Sequence, residues 1–134
     1  MNGYSKYKEK SIYSMSNGEL LLLLFDETIK RLIRAEQSLI DGNYDDYDDC
    51  LKRVSKIVRY LIEILDMQYQ ISWDLKRIYE YLIYDLSVVK AGRERKQEEI
   101  GRIRHILSEL REAFDGASRQ VNDMRIPAQR EVRG

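Results

Sequence analysis

The chain has 134 residues, 34% charged and 43% apolar, with 23 basic and 23 acidic side chains that cancel to a formal net charge of zero. That is one domain's worth of sequence, able to bury a core, with no global field to draw in nucleic acid or a membrane surface. One cysteine, Cys50, excludes an intrachain disulfide and reads as a buried structural residue in a reducing compartment.

The opening residues, Met1 to Tyr7, carry no apolar run and do not read as a signal peptide. Asn2 stands where a myristoylation signal needs glycine. Residues 1–15 are expected to form a flexible N-terminal segment, a cap over an apolar groove. The first helix begins at Ser16, which stands with Glu19 at capping-box spacing directly before Leu20–Leu24 and Phe25. This apolar run is too short to span a bilayer, which takes about 20 residues. Leu21, Phe25, Leu32 and Leu39, with Leu22, Ile29, Ile33 and Ile40 beside them, follow three- and four-residue steps. Asp41-Gly42-Asn43 closes the helix, with Gly42 suited to a left-handed cap.

A second helix is predicted from Tyr44 to Asp66, with Tyr47, Leu51, Val54, Val58, Leu61 and Leu65 on one face. Asp45, Asp46, Asp48 and Asp49 complement the dipole of its N-terminus. They do not make an EF-hand, because the glycine and glutamate which that loop requires are missing. Met67 to Ile71 is expected as a connection, with Ser72 capping a third helix that carries Leu75, Ile78, Tyr79, Leu82, Leu86 and Val89 and ends near Ala91-Gly92. Arg93-Glu94-Arg95-Lys96 reads as a charged corner. The fourth helix has the most regular stripe, Ile100, Ile103, Leu107, Leu110 and Phe114. Beyond Gly116 the apolar pattern fades, and Pro127, the one proline, is expected to end any helix.

The predicted architecture is therefore all-α: an antiparallel up-down four-helix bundle over residues 16–115, with residues 116–134 a polar tail or an extension of the last helix. Catalytic and cofactor chemistry is missing from the pattern. His105 is the only histidine, and the residue three before it is Arg102, so the Glu-x-x-His pair of a two-iron bundle is absent. One cysteine and one histidine cannot supply a zinc site built of Cys and His, and no Gly-rich phosphate loop occurs. Neither an enzyme nor a cofactor-binding protein is expected. Ten tyrosines against two phenylalanines suit either an interaction surface or a core edge with the hydroxyls in water, because the phenol joins an apolar body to a polar tip.

Taken in order, these segments resemble the flagellin-specific export chaperones. That family opens with a Tyr, a β-branched residue, a Thr or Ser and an Ala-Ser cap, then continues into Glu/Gln-Leu and Leu-Tyr/Phe-Asp. This chain has Tyr7, Ile12, Ser14 and Ser16, then Glu19-Leu20 and Leu24-Phe25-Asp26. The family's second helix has Lys-Ala, Ile-Ile, Leu and a final Leu-Asp, matched by Arg53-Val54, Ile57-Val58, Leu61 and Leu65-Asp66. Its third helix carries Leu-Tyr-x-Tyr, matched by Ile78-Tyr79-Glu80-Tyr81, and the closing Ala-Trp falls on Ala113-Phe114. Met15, Arg53-Val54, Gly92 and Phe114 depart from the pattern, which spans residues 4–115.

The resemblance implies a cytoplasmic, non-enzymatic chaperone without cofactors. It would bind the C-terminal segment of flagellin, prevent premature polymerisation and assist delivery to the flagellar type III export apparatus. Nucleic acid and membrane insertion are not expected; other export or regulatory proteins and a homodimer stay open. The residues implied for flagellin binding are Tyr7, Ile12 and Tyr13 before the first cap, and Ile57, Leu61, Ile78, Tyr79, Leu82 and Leu86 on the second and third helices. Core packing is the competing account of these six helix residues, above all of Leu61 and Leu82. Two other readings remain: a histidine-phosphotransfer-like bundle using His105, and a module that self-associates through its leucine-rich first helix. Against the former, Ser108 and Glu109 stand where that family has Lys and Gly.

Overall fold

A computed structural model describes the backbone from Asn17 to Arg133 and the side chains as far as Ala117. Four helices account for nearly all of it: α1 (Asn17–Ile40), α2 (Tyr44–Glu63), α3 (Gln70–Gly92) and α4 (Gln97–Arg133). A short 3-10 turn at Arg93–Lys96 joins the last two, and no strand occurs among the described residues. α1 packs against α2 and α4, and α3 packs against the same two helices from the opposite side. Cross-helix ion pairs read out the direction. Arg104 meets Glu36 at 2.9 Å and Arg111 meets Asp26 at 2.7 Å, so advancing along α4 moves backwards along α1. The bundle is antiparallel, as short connections require.

Each helix contributes the stripe that its spacing prescribes. Phe25, Leu32, Ala35 and Leu39 of α1 meet Tyr47, Cys50, Leu51, Val54, Val58 and Leu61 of α2. Leu75, Tyr79, Leu82, Leu86 and Val89 of α3 and Ile100, Ile103 and Leu107 of α4 complete the core. Polar groups that enter it find partners. The Tyr47 hydroxyl donates to the Val89 carbonyl at 2.6 Å, tying α2 to α3. Asp85 of α3, almost fully buried, accepts from Arg102 of α4 at 2.9 Å. Cys50 is buried, and that burial pushes its thiol above the usual range.

The α1–α2 corner forms as predicted. Gly42 has φ 72°, and the amides of Asn43 and Gly42 reach back to the carbonyls of Ser38 at 2.8 Å and Leu39 at 3.2 Å. These two bonds satisfy the last carbonyls of α1 in a Schellman arrangement. The Asn43 side chain then accepts from the amide of Asp46 and caps α2. Asp46 does more than complement the dipole. Its carboxylate bonds Arg34 and Ser38 of α1, and these bonds hold it below the ordinary carboxylate range.

Three boundaries differ from expectation. α2 stops at Glu63 rather than Asp66, because the Asp66 side chain accepts from the Gln68 amide at 3.1 Å and turns the chain. α3 starts at Gln70, so Ser72 is no cap; it is buried in the first turn, its amide on the Tyr69 carbonyl at 3.1 Å. Beyond Gly116 the backbone of α4 continues as helix. It stays helical through Pro127 to Arg133, so the proline does not end the helix as the sequence led one to expect. At the α3–α4 corner the left-handed residue is Arg93, with φ 52°, rather than the adjacent glycine. Gly92 serves close approach instead, because a Cβ there would lie 2.3 Å from Cγ of Lys96. Ser16 and the 1–15 segment lie outside the described residues.

Burial raises the phenols of Tyr47 and Tyr79 from 10.0 to about 12. A raised folded-state pKa stabilises the fold fully below the unfolded value of 10.0, and this contribution is lost as pH climbs through about 12. An alkaline titration should therefore show two tyrosines ionising late, together with loss of helical circular dichroism. Complete tyrosinate absorbance with helix content intact would contradict the burial of both rings.

A candidate docking groove between the second and third helices

The residues expected to bind flagellin separate into three groups. Leu61, Tyr79, Leu82 and Leu86 are each at most 1% exposed and belong to the core. They are not surface residues in this bundle, because the stripe that repeats at three and four residues is the one facing the other helices. Ile57 and Ile78 are half-buried at the edge of that core. Tyr7, Ile12 and Tyr13 lie outside the described residues. No described contact brings the three groups together into one site.

What α2 and α3 do present to solvent lies one helical step off the stripe. Lys52, Ser55, Lys56, Arg59 and Ile62 of α2 face Ile83, Tyr84, Ser87 and Lys90 of α3 across a shallow groove. Ile83 is packed against the core, whereas Tyr84 stands 66% exposed. The centre of the groove is lined by Lys52, Lys56, Arg59 and Lys90 and by no carboxylate among the described residues. Acids appear only towards its ends, Glu63 and Glu80 at one and Asp48 and Glu94 at the other. The second end is clasped by Tyr44, whose hydroxyl donates to Glu94 at 2.5 Å and whose ring lies 4.0 Å beneath the Arg93 guanidinium. The hydrogen bond lowers the Glu94 carboxyl and raises the Tyr44 phenol.

Further apolar surface gathers near the α2–α3 corner, where Ile64, Tyr69, Ile71 and Trp73 are exposed. The Trp73 indole donates to the Met67 carbonyl at 3.1 Å, and Lys76 lies 5.8 Å from its ring centroid. The periodic stripes gave no reason to single out Tyr84, Ile83 or the four cations. The available signal was adjacency: Ile83 and Tyr84 directly follow the core residue Leu82, so they fall on the flank of α3.

No group of three or more metal-binding side chains exists among the described residues. His105 sits exposed on α4, its Nε2 3.3 Å from Glu109, and lines none of the pockets of the groove. No described helix is long and apolar enough to cross a membrane. What the groove offers is an apolar floor with a charged rim, the chemistry that receives an amphipathic helix.

Among the curated proteins, no relative matches the chain. The family model described as flagellar protein FliS matches residues 1–121. With a four-helix bundle and that match over most of its length, the chain belongs to the FliS family of flagellin-specific export chaperones.

Proposed function

We propose that this protein binds the C-terminal segment of flagellin in the cytoplasm, holds it back from polymerising, and assists its delivery to the flagellar type III export apparatus. The family match carries the reading. The exposed aromatic and aliphatic surface of α2 and α3 supports it, because a guest that folds on binding needs a large contact area to offset its ordering entropy. On this proposal Ile57 and Ile78 contribute the accessible edge of the core. Tyr7, Ile12 and Tyr13 cover apolar surface in the free protein and yield it to the guest.

Calorimetry of the full chain with a peptide from the C-terminus of the host's flagellin tests this. Saturable binding with a large negative heat-capacity change is expected. A flat titration over a range of temperatures would sink the proposal.

A further inference from the structure

From the charge pattern of the α2–α3 groove, we propose that its centre selects a guest helix whose apolar stripe is flanked by acidic residues. The inference rests on the chaperone reading for the guest being a helix-forming export substrate, and adds what that helix must carry. Lys52, Lys56 and Arg59 occupy one flank of α2, at steps of four and three residues, and Lys90 faces them from α3. None of the four is paired with a carboxylate among the described residues.

Five other cations, Arg31, Arg34, Arg102, Arg104 and Arg111, each hold a carboxylate partner. Others, such as Lys30, Arg53 and Arg77, hold none among the described residues, so what marks the groove is the grouping of its cations rather than their being unpaired. The chain is neutral as a whole, so four cations lining one groove with no carboxylate among its lining residues are a local departure from that balance. Like charges at four-residue spacing, such as Lys52 and Lys56, destabilise a free helix, and an acidic guest removes that cost.

The floor distinguishes a peptide helix from a polyanion. Ile83 and Tyr84 line the groove between the cations, so its occupant must bring apolar side chains as well as charge. From Lys52 to Glu63 the groove runs along about 16 Å of α2, enough for about three turns of a guest helix. The acids at both ends then set the register, because they repel a guest carboxylate that slides past the centre. The chain's own opening segment is a poor match, for it carries Lys6, Lys8 and Lys10 against a single glutamate, Glu9.

The test uses the full-length protein and two synthetic amphipathic peptides of about 15 residues. They share one apolar stripe and differ in carrying glutamates or lysines beside it. Fluorescence anisotropy should show binding of the acidic peptide, weakening with added salt, and none of the basic one. Lys52→Glu with Lys56→Glu should weaken the acidic peptide about tenfold or more, with unchanged helix content and thermal midpoint within a few degrees. Lys52→Arg with Lys56→Arg should restore it. Equal affinity for the two peptides overturns the inference, as does preferential binding of a short nucleic-acid duplex or a self-association that the double reversal abolishes. Should the flagellin segment bind wild type and the double reversal equally well, charge selection at this groove fails while the chaperone reading stands.

Discussion

Leu82→Ala is expected to lower the unfolding free energy by about 2–5 kcal/mol, the range for emptying a fully buried leucine site. Leu82 is 0% exposed at the middle of α3, and the surrounding helices cannot collapse into the space without moving their backbones. A domain of this size is typically stable by about 5–15 kcal/mol, so the loss would be a large share of the total. Urea titration should show a lower midpoint with an unchanged slope. Tyr84→Ala, two residues on and 66% exposed, should leave stability within about 0.5 kcal/mol while weakening guest binding. The pair separates core from surface on one helix. Full stability in Leu82→Ala with binding lost would return that residue to the docking surface.

Phe25→Ala should cost about 3–5 kcal/mol, the range for a buried aromatic. Phe25 is 0% exposed, and its ring stacks on Phe114 of α4 with centroids 5.5 Å apart and planes inclined by 27°. Removing it opens a cavity where α1 meets α4 and strips Phe114 of its partner. A double-mutant cycle with Phe114→Ala should return a coupling of about 0.5–1.5 kcal/mol. Leu23→Ala, in the same leucine run but 36% exposed, should cost far less. Equal losses at Leu23 and Phe25 would mean that the run is buried on every side, contrary to the register of α1.

The bundle was legible in the chain because a helix's buried face repeats at intervals visible in sequence. Phe25, Leu32 and Leu39, or Ile100, Ile103 and Leu107, could be chosen with no knowledge of their neighbours. The Gly42 turn was legible for a similar reason, since few residues accept its backbone angle. The helix ends were less so. Asp66 reads as the close of a helix until its carboxylate is seen holding the Gln68 amide, and Ser72 reads as a cap until it is found inside the first turn of α3. Such choices turn on single hydrogen bonds that compete with the helix at similar cost.

The candidate site was the least legible part. Periodicity identifies the stripe that packs, so residues selected from it on α2 and α3 were bound to include core positions such as Leu61 and Leu82. The surface that remains is defined by what the neighbouring helices leave uncovered. Lys52, Lys56, Arg59 and Lys90 are ordinary helix residues in the sequence, separated by up to 38 positions, and become one cationic groove only when α3 folds back along α2.

By itself, then, the sequence determined the four helices, the stripe each buries and the family to which they belong, because periodicity and local motif order are properties of neighbouring residues. Tertiary structure alone decided which side chains remain available to a partner. Availability depends on how two antiparallel helices are rotated against each other, and no stretch of either one contains that angle.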